Sequence, residues 1–161
     1  MLVLGWGNLS RGDDALGPLF VAGLKARLAG DLVGQVEFFD DYQLQVEHAL
    51  DLEGRHHVLF VDASLDCAAP FVANALQARR DTSYTSHALS PQALLQVFED
   101  IQGHSAPPAT LLALRGEVFG LGEPLSAIAQ SHLQAGLDWG LSWIRHTCIV
   151  KPYDKTRIQP L

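Results

Sequence analysis

The opening stretch Met1-Leu-Val-Leu-Gly-Trp-Gly-Asn-Leu-Ser-Arg-Gly-Asp-Asp-Ala-Leu-Gly17 leaves the chain few ways to begin folding. Leu2, Val3 and Leu4 form a short unbroken apolar run, which suits a strand buried on both faces. Such strands belong to parallel sheets covered by helices. Gly5 and Gly7 let the backbone turn tightly as it leaves the strand. Leu16, Leu19, Phe20, Leu24 and Leu28 then recur at three- and four-residue steps and give a helix one apolar face. Pro18 is tolerated in the first helical turn, which donates no intrahelical hydrogen bonds, and Gly17 relieves the crowding on a residue before proline. The unit is strand, glycine loop and helix, with Asp13 and Asp14 where the helix should begin.

A glycine loop between strand and helix raises the question of dinucleotide binding. Gly5 and Gly7 match the first two glycines of Gly-x-Gly-x-x-Gly, and Asp40-Asp41 follow a second apolar run at about the distance of a ribose-binding acid. Ser10 occupies the place of the third glycine. Asp13 and Asp14 put negative charge where a pyrophosphate needs backbone N–H groups, so this reading is disfavoured. Two others stay open for the acids. One of them can cap the helix and favour its positive end, worth about 0.5–2 kcal/mol. One aspartate suffices for that, and a second at the carboxyl end of the first strand lies where open α/β sheets place their ligand sites.

The rest of the chain alternates strand and helix, which predicts an α/β fold: a single three-layer domain over residues 1–150, with a twisted, mostly parallel sheet of about five strands and helices on both faces. Val36 to Phe39 read as the second strand, Leu44 to Leu52 as a short helix, and Val58-Leu59-Phe60-Val61 as a strand running into Asp62-Ala63-Ser64. Cys67 to Arg80 suits either a strand or a short helix, and Thr82 to Ala88 looks extended. Ser90-Pro91 is an N-cap followed by proline at the first helical position, before Leu94, Leu95, Phe98 and Ile101 mark an amphipathic helix. Gly103 to Pro108 reads as a loop and Thr110 to Leu114 as a strand. A final helix runs from near Ser126 to about Arg145, with Ile128, Leu133, Leu137, Leu141 and Ile144 inward. Residues 151–161 form a polar tail with two prolines.

Charge and composition narrow the partners. The formal net charge of −7 argues against nucleic acid, which needs clustered Lys and Arg, and the one pair, Arg79-Arg80, reads as a solvated helix end. No apolar run reaches the roughly 20 residues of a membrane span, and Met1 leads straight into the first strand, so a cytoplasmic protein with no membrane partner is expected. Cys67 and Cys148 match no zinc spacing and read as idle reduced thiols. Neither His-Glu-x-x-His nor Gly-x-Ser-x-Gly occurs, and Ser64 and Cys67 have no evident base as nucleophiles. His48 reads as a surface or packed histidine. His56 and His57 point to opposite faces if they continue the strand, and His132 and His146 lie too far apart on one helix to share an ion.

Asp14, Asp62 and His87 remain, all expected beside ends of core strands. Two carboxylates and an imidazole converging from separate loops suit a borderline divalent ion such as nickel or zinc and leave coordination positions open. For His87 the plain alternative is a helix-flanking histidine bonded to backbone.

The segments Gly5-Trp-Gly-Asn-Leu-Ser-Arg-Gly-Asp-Asp-Ala-Leu-Gly-Pro18, Val61-Asp62-Ala63 and His87-Ala-Leu-Ser-Pro91, in this order and spacing, resemble the hydrogenase maturation proteases, as does Leu125-Ser126 before the last helix. The first segment is long and specific; the others add weight only through their order. One position departs from that pattern: the second acid is usually glutamate, and Asp14 is one methylene shorter. The resemblance implies a twisted sheet with helices on both sides, and an endopeptidase that removes a short carboxy-terminal extension from the large-subunit precursor of a nickel–iron hydrogenase after nickel insertion. It implies Asp14, Asp62 and His87 as the metal-binding residues, with nickel supplied by the substrate and zinc or another divalent ion able to substitute. Asp14 and Asp62 are the catalytic candidates, a carboxylate activating water being preferred to direct nucleophilic attack. No resident cofactor site and a monomer are expected. A non-proteolytic metal- or nucleotide-binding module on the same fold is the alternative.

Overall fold

The computed structural model describes residues 1–80 and 89–149, with the side chain of Ile149 excepted. Five strands form one sheet in the order β2-β1-β3-β5-β4: β1 (Leu2–Trp6), β2 (Glu37–Asp41), β3 (Val58–Ser64), β4 (Phe71–Leu76) and β5 (Ala109–Arg115). All neighbours run parallel except β4, which pairs antiparallel with β5 at the edge. Three α-helices cover the sheet, α1 (Leu16–Arg27) and α3 (Ala127–Ile149) on one face and α2 (Pro91–Gln102) on the other, joined there by a 3-10 segment, Val46–Leu52. This is the α/β, three-layer arrangement expected from the sequence. The residues from 150 onward, including the expected 151–161 tail, and the 82–88 stretch read as extended lie outside the described residues.

Alternation along the central strands divides the apolar side chains between two cores. Val3, Leu59, Val61, Leu112 and Leu114 pack under α1 and α3, while Leu2, Leu4, Trp6, Val58 and Phe60 pack under α2 and the 3-10 segment. A strand with both faces covered has no solvent side to keep polar. That explains why β1 and β3 read as continuous apolar runs. Burying a side chain such as Phe60 or Leu4, each fully buried, contributes about 1.5–3 kcal/mol.

The first turn of α1 lies directly on the end of β1. A Cβ on Gly17 would collide with the Trp6 carbonyl oxygen, and one on Gly5 would stand 2.5 Å from the Gly17 carbonyl oxygen. Here glycine is needed for close backbone approach, not for dinucleotide contact. Gly17→Ala is therefore expected to push α1 from the sheet and to cost about 1–3 kcal/mol, measurable by urea unfolding. A variant as stable as the parent would show that this contact can relax freely.

Local readings differ from the structure where tertiary contact decides. Residues 67–80 contain the edge strand β4 and no helix, so Arg79-Arg80 follow a strand, with Arg80 paired to Asp100 at 2.9 Å. Ile101 and Ile128, expected inward, are 59% and 46% exposed. Each sits in a terminal turn of its helix, one residue off the packed face; Ala129 is fully buried in place of Ile128. The Ser90 cap forms as read, its side chain accepting from Ala93 N–H at 3.2 Å. Among the described residues, no helix is long and apolar enough to cross a membrane.

Candidate active site

From β1 the chain crosses to β2 on one side, and from β3 it passes over the position of β5 to the edge strand β4 on the other. The loops leaving β1 and β3 therefore diverge, and a crevice opens at the carboxyl ends of these adjacent strands, the usual ligand position in open α/β sheets. Asp14 lies in the loop after β1 and Asp62 near the end of β3.

Asp13 and Asp14 occupy a 3-10 turn, Gly12–Ala15, ahead of α1, and neither caps that helix; the Ala15 N-cap has no side-chain partner. The capping reading is thus corrected, because the turn rotates both carboxylates away from the N–H groups of α1. Asp13 turns inward and is fully buried. Its Oδ2 accepts from Glu117 N–H at 2.8 Å, Val118 N–H at 3.0 Å and Ser126 Oγ–H at 2.9 Å, and its Oδ1 from Ser126 N–H at 2.8 Å. Ser126 in turn caps α3, accepting from Ala129 N–H at 3.1 Å. Burial alone would raise the Asp13 pKa, but the backbone N–H groups of Glu117, Ser126 and Val118 and the Ser126 hydroxyl hold it below the ordinary value. Asp13 thus fastens the first loop to the last helix.

Asp14 turns the other way, half-buried, with its Oδ2 accepting from Asn8 N–H at 2.8 Å. Its charge reaches Asp62. The Asp62 carboxyl is pushed up to about 7, chiefly by burial and further by the Asp14 carboxylate, while Ala63 N–H and the Trp6 side chain pull it down by hydrogen bonding. The Ala63 N–H contact is 2.9 Å. Two carboxylates with unequal environments in one crevice are the arrangement that separates acid from base at neutral pH. Among the described residues no group of three His, Cys, Asp or Glu side chains is placed to hold a metal, and His87 lies outside them.

Beside Asp14 runs a shallow groove of about 250 Å³ lined by Gly7, Asn8, Leu9, Pro18, Asp40, Asp41 and Tyr42. Asp41, the candidate ribose-binding acid, is already engaged: Oδ1 accepts from Tyr42 N–H at 2.6 Å and Oδ2 stands 3.3 Å from His48 Nε2. His48 is also held by Gln45 N–H at 2.9 Å, so it is a structural residue. His132 Nδ1 donates to the Arg115 carbonyl at 2.8 Å, and His57 meets Thr110 Oγ1 at 3.2 Å. Cys67 and Cys148 are free and partly buried. Sequence reasoning did not single out Arg115, at the carboxyl end of β5, whose side chain donates to the Cys67 carbonyl at 3.0 Å. No local pattern marks it, since one arginine ending a strand is ordinary in sequence.

No protein-family model and no curated protein matches the sequence. Solved structures do match the fold. The hydrogenase maturating endopeptidase HybD from E. coli aligns over 91% of this chain and 92% of its own, with 23% identity and a TM-score of 0.71. The [NiFe] hydrogenase maturation protease HycI from Thermococcus kodakarensis KOD1 aligns over 89% and 91%, with 18% identity and a TM-score of 0.68. A hydrogenase 2 maturation peptidase from Thaumarchaeota archaeon SCGC_AB-539-E09 aligns over 89% and 96%, with 22% identity and a TM-score of 0.62. The chain has the fold of these maturation proteases over nearly its whole length.

Proposed function

We propose that this chain is an endopeptidase that removes the carboxy-terminal extension of a nickel–iron hydrogenase large-subunit precursor once that precursor carries nickel. The observation that carries the reading is the pair Asp14 and Asp62 in the crevice between β1 and β3, with the Asp62 carboxyl raised to about 7. A base poised near neutral pH is half available to take a proton and half loaded to return one, which suits general acid–base catalysis of hydrolysis. In this reading Asp62 takes the proton of the attacking water and later returns it to the leaving amine. Asp14, fixed by Asn8 N–H, keeps Asp62 basic through its charge.

Nickel belongs to the substrate in this proposal. The carboxylates of Asp14 and Asp62, with His87 as the third donor, are a set of oxygen and nitrogen ligands that leaves positions open for an ion already held by the precursor, so metal-free precursor is rejected. Similarity to solved maturation proteases supports the substrate class, and the acids placed together in the crevice support the chemistry. The test is incubation of the pure protein with nickel-loaded and nickel-free precursor, read by mass spectrometry. Loss of the extension from the loaded form alone is expected. Equal processing of both would remove nickel as the signal, and no processing of either would sink the protease assignment.

Asp14 separates function from capping. Asp14→Ala is expected to lower cleavage by about 10²-fold or more, the scale of removing one group of a coupled acid–base pair. It should shift the Asp62 pKa downward in a carboxyl NMR titration and change stability by less than about 1 kcal/mol. Asp14→Glu, which places a longer carboxylate in the same turn, should retain activity. An unchanged Asp62 titration in Asp14→Ala would show that the two acids do not act on each other.

A further inference from the structure

Among the described residues, three arginines pair with a carboxylate: Arg27 with Asp138, Arg55 with Glu37 and Arg80 with Asp100. Arg11, Arg79 and Arg145 are exposed to water. Arg115 does neither. It is partly buried, no carboxylate among the described residues forms an ion pair with it, and its Nε–H is buried without an acceptor among them. Among the described residues only Nη1 has a partner, donating to the Cys67 carbonyl at 3.0 Å. In a chain with 18 acidic residues to 11 Lys and Arg, a half-desolvated guanidinium with no counter-charge among the described residues is conspicuous. A half-buried guanidinium left without a counter-charge costs free energy that an anionic oxygen bound at its accessible end would recover.

Its place in the sheet says which oxygen. In β5, Leu112 and Leu114 face α1 and α3 while Leu111 faces α2, so unbroken alternation puts Arg115 on the α2 side. In β3, Leu59 and Val61 face α1 and α3 while Phe60 faces α2, so Asp62 shares the face of Arg115. The register pairs Asp62 with Ala113 and Ser64 with Arg115. Arg115 is thus one strand across from Asp62 and two residues nearer the open end, roughly 8 Å between Cα atoms from strand spacing and rise. Both residues therefore lie on neighbouring strands at the same end of the sheet.

We infer that Arg115 stabilises the oxyanion of the hydrolysis, receiving the scissile carbonyl oxygen on Nη2–H while Asp62 activates water. The inference rests on the protease reading and adds a residue to it. Water oxygen bonds to the carbonyl carbon as Asp62 takes its proton, and the carbonyl π pair moves onto the oxygen facing Arg115. When that pair returns, the C–N bond breaks, and the proton passes from Asp62 to the leaving amine. The new carboxylic acid loses its remaining proton to solvent, so the products are a carboxylate and an amine, with water the only co-reactant. A guanidinium pre-set by the Cys67 carbonyl pays little reorganisation as that charge develops.

The competing role is structural, anchoring the loop after β3 through Cys67. Arg115→Met keeps the apolar stem and removes the guanidinium. On nickel-loaded precursor its kcat is expected to fall about 10²- to 10³-fold with KM within about threefold, the behaviour of a lost oxyanion donor. In Arg115→Ala, added methylguanidinium should restore part of kcat, which a purely structural role would not allow. If Arg115→Met does not fold, Arg115→Lys serves, with an expected loss of about tenfold or more in kcat, since a lysine cannot reproduce the planar donor edge. A folded Arg115→Met or Arg115→Lys with kcat within threefold of the parent overturns the inference, as does a loss confined to KM or to melting temperature, or a failure of rescue. Failure of the parent itself to cleave loaded precursor overturns the protease reading, and the inference with it; cleavage by the parent and an equally active variant overturns the inference alone.

Discussion

Asp13→Ala is expected to cost about 3–5 kcal/mol of folding stability, a large share of the 5–15 kcal/mol that holds a typical domain together. The substitution would strand three backbone N–H groups, of Glu117, Val118 and Ser126, together with the Ser126 hydroxyl. Each buried donor left unpaired costs about 1–3 kcal/mol, partly offset where water can enter. Asp13→Asn is the sharper variant. It keeps the shape, but its amide nitrogen faces donors with a donor, so most of the loss should remain. The sign of the pH dependence follows from the lowered pKa. A carboxyl whose folded pKa lies below its unfolded value of about 3.9 stabilises the fold above that value, and this stabilisation disappears as pH falls through the folded pKa. Urea unfolding of the parent and the variant at pH 7 and at pH 3 should therefore show the gap narrowing in acid. A gap under about 1 kcal/mol at pH 7 would mean that the donors find other partners. Asp14→Ala is the control one residue away, expected to be nearly neutral for stability.

Asp62→Asn should do the reverse, stabilising the protein while abolishing its activity. The Asp62 pKa of about 7 stands above the unfolded value, so between about pH 4 and pH 7 the folded state keeps a proton that the unfolded state has lost. Stability contributed by this group is then greatest in acid and falls as pH rises through that window. Three pH units correspond to at most about 4 kcal/mol, and partial solvent access reduces this to about 2 kcal/mol. Asparagine cannot ionise. At pH 8 the variant should be more stable by about 2 kcal/mol, or roughly 4–8 °C in melting temperature, and at pH 4 the difference should vanish. Cleavage of nickel-loaded precursor should fall by about 10²- to 10⁴-fold, the usual contribution of a general base. Calorimetric melting at both pH values and precursor cleavage on the same samples check both halves. A variant destabilised at pH 8, or one that cleaves normally, would remove Asp62 from the role of raised-pKa base.

The two aspartates at the start of the chain show where local reading ends. Asp13 and Asp14 are the same residue type in adjacent positions of one short turn, and by sequence either could cap a helix or face a ligand. In the fold, Asp13 receives its partners from positions 104 to 113 residues away, while Asp14 bonds Asn8 six residues back and looks into the crevice. A pattern of neighbours carries no information about donors that arrive from the far end of the chain. The same limit hid Arg115, whose pairing with Ser64 and shared face with Asp62 exist only once β3 and β5 lie side by side.

What the sequence determined by itself was the alternation of strand and helix, the two-sided burial of the central strands and the glycine loop that ends β1. Each of these is written in short-range periodicity, or in a residue type the backbone needs at that position: Leu2, Leu4 and Phe60 are buried because the strands that carry them have no solvent face. It also pointed to Asp62 as a candidate, through the carboxylate that follows the apolar run Val58 to Val61 toward the end of β3. The tertiary structure decided which acid is structural and which is available, and it made 71–76 an edge strand in a stretch where strand and helix signals balanced. It also set the protonation of Asp62. That last property belongs to no residue singly, since it comes from burial beneath neighbouring elements and from a second charge brought close by the turn after β1.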